Sequence, residues 1–224
     1  MMELIQLRNV LKSYQAGVQQ VDAVRGVNLQ IKAGEFAALA GPSGSGKTTL
    51  LNLIGGLDQA SAGQVIVEGC NLAECSSVEL ADFRLQRIGF IFQSFNLIPV
   101  LTARENAEFV LMLRKVPAEK RHARIDILFQ QLGISGLEQR RPMELSGGQQ
   151  QRVAVARAMA AEPAVVLADE PTANLDSETA TDLLFLMQQL NREQGTTFLF
   201  SSHDPKVIGL ADRVVNLKDG RIVE

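Results

Sequence analysis

The apolar positions of this chain switch between a strand rhythm and a helix rhythm. Up to Ala40 they mark strands: Leu4 to Val10, Val27 to Ile31 and the unbroken apolar run Phe36 to Ala40 are short β segments separated by Gly and Asp turns. After Gly41 the pattern becomes helical. Thr48 to Ile54 carries apolar residues at helical spacing and is stopped by Gly55-Gly56, and Gln64 to Val67 returns to strand before the turn Glu68-Gly69.

From Ser77 to Ala161 the spacing predicts mostly helix, in pieces near Val78 to Gln86, Thr102 to Leu113, Ala118 to Leu132 and Gln149 to Ala161. One strand, Ile88 to Phe92, interrupts it. The last third alternates: strand Val165 to Ala168, helix Ser177 to Gln194, strand Thr196 to Ser201, a short helix, strand Arg213 to Leu217 and a hairpin at Lys218-Asp219-Gly220-Arg221. Strands alternating with helices imply an α/β fold whose parallel sheet is covered on both faces, with the helical block as a subdomain set into it. There is no internal repeat or linker, so residues 1–224 are expected to form a single domain.

Bulk properties narrow the function. A membrane span needs roughly 20 consecutive apolar residues, and runs such as Val165-Val166-Leu167-Ala168 are far shorter, so no direct membrane insertion is expected. The opening Met-Met-Glu-Leu-Ile-Gln-Leu-Arg has neither a basic nor an apolar leader segment, which points to the cytosol. A net charge of −3 gives no footprint for a phosphate backbone, so nucleic acid is not expected as a ligand. Cys70 and Cys75 have no second Cys/His pair nearby, and His122 and His203 are remote, so the two read as ordinary reduced thiols.

Three motifs carry chemistry. Gly41-Pro42-Ser43-Gly44-Ser45-Gly46-Lys47-Thr48 matches the phosphate loop G-x-x-x-x-G-K-S/T and lies between a buried strand and a helix. Its glycines let backbone N–H groups curl around phosphate oxygens, where the helix N-terminus adds positive potential. Lys47 is placed to reach the β- and γ-phosphates and the Thr48 hydroxyl to ligate Mg²⁺. Val165 to Ala168 followed by Asp169-Glu170 is an apolar strand ending in two acids at the sheet edge where α/β folds put ligands. Asp169 suits the metal, and Glu170, pointing the other way, suits the water-activating base. Leu145-Ser146-Gly147-Gly148-Gln149 is a second glycine-rich helix start and hence a second anion site, far along the chain from Lys47.

The phosphate loop, Gln93, the LSGGQ stretch, the apolar-Asp-Glu strand, Asp176 and His203, in that order, resemble the nucleotide-binding domain of ABC ATPases over essentially the whole chain. The resemblance implies a P-loop NTPase with a RecA-like core, an N-terminal antiparallel β subdomain and an inserted helical subdomain near residues 94–160. It implies a homodimer formed on ATP binding, head to tail, with each ATP between the P-loop of one copy and Ser146, Gly147, Gly148 and Gln149 of the other. It also implies that Gln93 joins the Mg²⁺ and water shell, that His203 touches the γ-phosphate, that Tyr14 stacks on adenine, that Thr49 belongs to the nucleotide site and that Asp176 lies where the subunits sense each other.

Gly34-Glu35-Phe36, Gly55-Gly56-Leu57-Asp58, Ile91 to Pro99 and Pro171 to Ser177 look like the LolD/MacB/FtsE group within that family. This implies a partner permease of the FtsX/MacB type and a place on the cytoplasmic face of the bacterial inner membrane, for export, lipoprotein release or force transmission. The apolar run Phe95 to Leu101 reads as exposed and as a docking groove for a cytoplasmic helix of that permease, with ordinary packing of the helical subdomain as the equal alternative for its individual residues. Soluble ABC ATPases of DNA repair or the ribosome are the alternative, but their long inserts or second domains have no counterpart here. A P-loop small-molecule kinase would have no use for LSGGQ.

Overall fold

The computed structural model describes residues 3–17 and 19–223; Met1 and Met2 of the opening stretch lie outside them. The chain runs β1 (Glu3–Ala16), β2 (Gln19–Lys32), β3 (Phe36–Ala40), α1 (Lys47–Ile54), β4 (Ala62–Val67), β5 (Cys70–Asn71), α2 (Ser77–Arg87) and β6 (Ile88–Ile91). It continues through α3 (Ala103–Leu113), α4 (Ala118–Gln131), α5 (Gly147–Ala160), β7 (Val165–Ala168), α6 (Ser177–Gln194), β8 (Thr197–Ser202), α7 (Pro205–Ile208), β9 (Arg213–Lys218) and β10 (Arg221–Val223).

Two sheets organise these elements. The larger has the order β10-β9-β3-β8-β7-β6, with β9, β3, β8, β7 and β6 parallel and β10 antiparallel at the edge through the expected hairpin, Lys218 opposite Arg221. The smaller, of order β2-β1-β4-β5, is antiparallel. The central strands β3 and β7 are apolar without a break because both their faces are covered. Successive residues point to opposite sides: Phe36, Ala38, Val166, Ala168, Phe198 and Phe200 pack with the helical block, while Ala37, Leu39, Val165, Leu167 and Leu199 pack with α1 and the antiparallel sheet.

The first two strands are longer than the sequence pattern predicts. Their pairing continues past Val10 and begins before Val27, through Lys12 opposite Val24 and Tyr14 opposite Val21, with register shifts on the way. The outer part of this hairpin is largely exposed and polar, so no apolar alternation marks it; the backbone ladder carries the strands where burial does not.

Helix starts agree with the sequence because their signals are local. Ser76 with Glu79, Thr102 with Glu105 and Ser146 with Gln149 each form a reciprocal capping box, and α6 ends at Gly195 with φ 68°. Within the block, α3, α4 and α5 bury Ala107, Leu111, Ile125, Phe129 and Val153 in the same apolar cluster as the sheet. α5 also crosses beneath β6, where a Cβ on Gly89 would lie 2.6 Å from the Ala158 carbonyl oxygen. Among the described residues no helix is long and apolar enough to cross a membrane.

Candidate active site

The phosphate loop leaves β3 at its carboxyl end and turns into α1, whose exposed N–H groups face the space above the sheet. Gly46 makes the turn at φ 105°, and a Cβ there would lie 2.4 Å from the Ala23 carbonyl oxygen, so no other residue fits. From behind, Ser45 O accepts from Gly220 N (3.0 Å), and Gly220 O accepts from Arg25 N (2.8 Å), fixing the loop to the β9–β10 turn and to β2. Lys47 is buried, and its Nζ donates to the carbonyls of Gly41 (2.7 Å) and Pro42 (3.1 Å).

In front of the loop lies a cavity of about 470 Å³. Pro42, Ser43, Gly44, Gly46, Lys47, Thr48 and Thr49 form one wall, and Gln93, Glu170, Ala173 and His203 close it with Ala23. Gly41 and Ser45 are not in that wall; they shape the loop from beneath.

The acids sit where the parallel strands end. Asp169 Oδ1 accepts from Thr48 Oγ1 (3.1 Å) and from Ser201 Oγ (2.7 Å). Glu170 leaves the strand in the left-handed region, φ 45°, and its N–H donates to the same Ser201 Oγ (2.8 Å). Its carboxylate lies 3.1 Å from His203 Nδ1 and 3.5 Å from Lys47 Nζ. A carboxylate, an ammonium group and an imidazole thus converge on one wall, beside a hydroxyl and carboxylate already in contact.

Ser146, Gly147, Gly148 and Gln149 are not in this cavity. Ser146 Oγ accepts from Gln149 N (3.3 Å), and the Gln149 side chain accepts from Ser146 N (2.9 Å), so among the described residues the capping box leaves the serine O–H and the Gly147 and Gly148 N–H groups without an acceptor. Gly148 is pressed against α6: a Cβ on it would lie 2.6 Å from Thr179 Cγ2. Asp176 is also outside the cavity and caps α6, Oδ1 accepting from Glu178 N (3.1 Å) and Thr179 N (3.0 Å) and Oδ2 from Thr179 Oγ1 (2.6 Å). The Thr179 hydroxyl, and then its N–H, hold the Asp176 carboxyl below its ordinary pKa.

Tyr14 stands beside the cavity, not in its wall. Its hydroxyl donates to Asp58 Oδ2 (2.7 Å), and Lys12 Nζ lies 4.8 Å from the ring centroid while donating to Asp58 Oδ1 (2.6 Å). Partial burial and then the Asp58 hydrogen bond hold the phenol above its ordinary pKa, and a Thr49 contact opposes them.

The donor set suits a nucleoside triphosphate with Mg²⁺. Positive-φ glycines at 44 and 46, Lys47 and the α1 N-terminus make an anion cradle. Thr48, Asp169 and the Gln93 amide offer hard oxygen donors of the kind Mg²⁺ takes alongside substrate phosphates. Among the described residues no cluster of three or more His, Cys, Asp and Glu side chains could hold a metal by itself. Cys70 and Cys75 are free thiols with Sγ atoms 3.1 Å apart; the Cys70 contact, then burial, push the Cys75 thiol up to about 11.

Sequence reasoning missed several residues here. Ser201 bridges both acids, Asn174 Nδ2 donates to Gln93 O (2.8 Å), and the fully buried Gln151 donates from Nε2 to Pro171 O (2.6 Å). Ser201 and Gln151 read as helix or strand filler because their partners are distant in sequence. The run Phe95 to Leu101 requires a correction. Phe95, Leu97, Ile98 and Leu101 are half-buried and Leu97 packs on the core, while Val100 is exposed as expected. Phe95 and Asn96 turn back at φ 60° and 49°, held through their carbonyls by the Arg157 guanidinium. The open apolar groove lies alongside, about 590 Å³, between α2, β6, α3 and α5, lined by Leu57, Leu85, Phe90, Phe92, Val110 and Leu113.

Comparison with known proteins agrees with this geometry. The ABC transporter family profile matches residues 24–173. The lipoprotein-releasing system ATP-binding protein LolD of Anaeromyxobacter dehalogenans is 46% identical over 220 residues, covering 98% of this chain and 92% of that one. The macrolide export ATP-binding/permease protein MacB of Rhodopirellula baltica is 43% identical over 223 residues, 99% of this chain and 33% of that longer protein. A solved dimer of the ATP-binding cassette MJ0796 of Methanocaldococcus jannaschii, in a post-hydrolysis state with ADP and Pi, superposes with a TM-score of 0.92 at 41% identity, covering 99% of this chain and 97% of that one.

Proposed function

Because this chain belongs to the ABC transporter family, we propose that it is the ATP-hydrolysing subunit of a LolD/MacB-type machine, which closes as a homodimer over ATP and drives an FtsX/MacB-like permease. The observation that carries this reading is the separation of two anion-binding helix starts. The cavity beside Lys47 has a carboxylate, an ammonium group and a hydroxyl–carboxylate pair but no contribution from Ser146 to Gln149, whose Ser146 O–H and Gly147 and Gly148 N–H groups are without an acceptor among the described residues. A second copy turned head to tail would supply its Ser146, Gly147 and Gly148 to the open side.

In this reading Lys47 exchanges the Gly41 and Pro42 carbonyls for β- and γ-phosphate oxygens, and the N–H groups of Gly44 to Thr49 wrap the same oxygens. Thr48 and Asp169, with Gln93 close by, would hold Mg²⁺, which would supply charge neutralisation to the phosphates. Glu170 accepts the proton of the attacking water, with its carboxylate held by His203 and Lys47. Tyr14 presents its ring to the adenine, and Asp176 stands at the edge that meets the other copy.

The relatives' printed roles and the apolar groove beside the Gln93 loop support a permease partner, through which the subunit sits on the cytoplasmic face of the inner membrane. Residues 1–224 act as one domain, with the helical part near 94–160 carrying that groove's outer wall.

Size-exclusion chromatography of Glu170→Gln tests the reading. It should run as a monomer alone and as a dimer with ATP, and show no turnover. Normal hydrolysis in that variant removes Glu170 from the role of base.

A further inference from the structure

Ser201 is wholly buried at the carboxyl end of β8, and its hydroxyl is saturated by two site residues. Oγ donates to Asp169 Oδ1 at 2.7 Å and accepts from Glu170 N at 2.8 Å. A hydroxyl has one proton to give, so the assignment is forced: the carboxylate takes the proton and the backbone N–H meets a lone pair.

Resting on the reading of Asp169 as metal ligand and Glu170 as base, we propose that Ser201 is a positioning residue for both, the single atom that fixes the metal-binding carboxylate relative to the hydrolytic base. The strand geometry explains why this position can do it. By strand alternation residues 197, 199 and 201 of β8 share the α1 side of the sheet with 165 and 167 of β7, and Asp169, the residue just past β7, continues that side opposite Ser201. Ser201 and Asp169 therefore meet on the face nearest Thr48, whose hydroxyl reaches the same oxygen, Oδ1. Both donors fall on Oδ1, which orients the carboxylate and leaves Oδ2 without a hydrogen bond among the described residues.

The second bond acts on the backbone. Glu170 at φ 45° occupies a region that L side chains seldom adopt, and the Ser201 hydroxyl is the partner of its N–H. Losing it frees the peptide that aims the Glu170 carboxylate at His203 and Lys47. Ser201 is wholly buried and is not part of the cavity wall, so its effect passes through these two residues.

The test compares Ser201→Ala, Ser201→Thr and Ser201→Val with the parent chain. Thr and Val have the same shape and differ in the hydroxyl, so any packing cost is common to both. Three readouts are taken: steady-state ATP turnover, metal-free binding of a fluorescent ATP analogue, and Mn²⁺ affinity by electron paramagnetic resonance with a non-hydrolysable ATP analogue. In Ala and Val, kcat and Mn²⁺ affinity should each fall about tenfold or more, the range typical of residues that orient metal ligands. Metal-free nucleotide affinity should stay unchanged, and Thr should recover most of both losses. If Val or Ala matches Thr in turnover and Mn²⁺ affinity, or if all three fall equally, Ser201 is ordinary packing and the proposal is overturned. A parent chain without ATPase activity, or an active Glu170→Gln, would instead overturn the assignment of the site itself.

Discussion

Asn174 donates its amide N–H to the backbone carbonyl of Gln93 at 2.8 Å, joining the loop that precedes α6 to the loop that follows β6. The first loop carries Asp176 and the second borders both the active-site cavity and the apolar groove. Gln151 ties the same pre-α6 loop to α5 through Pro171, so three motifs far apart in sequence move as one hydrogen-bonded unit. One neutral hydrogen bond is worth about 1 kcal/mol, or about fivefold in a rate. Asn174→Ala should therefore lower ATP turnover by about that factor with nucleotide affinity of the monomer unchanged; an equal change in both would show that the bond serves binding and not coupling.

Gly148 meets Thr179 at the contact between α5 and α6. An alanine in a helix is normally favoured over glycine by roughly 0.5–1 kcal/mol. Here its Cβ would lie 2.6 Å from Thr179 Cγ2, and overpacking of this kind costs about 1–3 kcal/mol. Gly148→Ala should thus destabilise the chain in urea unfolding. Thr179→Ser removes the methyl and keeps the hydroxyl that Asp176 accepts, so the double variant should regain the loss. Strictly additive effects would show that the clash is not the cause.

Asp176 gives the α6 cap a pH dependence. Its folded pKa is depressed, chiefly by the Thr179 hydroxyl, so the carboxylate stabilises the fold at pH above the ordinary carboxylate range and the contribution fades as pH falls through the folded value. Asp176→Asn still caps but cannot titrate. Thermal melts between neutral and acid pH should find the parent losing its advantage over the variant on acidification; parallel curves would remove Asp176 from the acid response.

The sequence made most of the site legible wherever a motif is contiguous. Gly41 to Thr48 joins a strand to a helix, Asp169-Glu170 follows the end of β7 and Ser146 to Gln149 opens α5, each a local signal in its expected place. What sequence could not supply are side-chain bonds between distant positions: Ser201 to Asp169, separated by 32 residues, and Asn174 to Gln93, separated by 81. No periodicity encodes such pairs. Phe95 to Leu101 misled for a related reason. Its apolar residues suggested an open surface, whereas Arg157, a long way down the chain, folds the loop back and burial of the guanidinium holds its pKa below the ordinary value. The outer β1–β2 hairpin was hidden because exposed polar strands lack an apolar alternation.

Mixing two inactive variants tests most directly whether each nucleotide is shared between copies. Lys47→Ala spoils the phosphate loop, and Ser146→Arg spoils the second glycine-rich helix start, so neither variant alone should hydrolyse ATP. A mixed pair holds one site with an intact Lys47 from one chain and an intact Ser146 from the other. Turnover should reappear on mixing and follow the fraction of mixed pairs. A mixture as silent as its components, or full activity in Ser146→Arg alone, would contradict a site built from two chains.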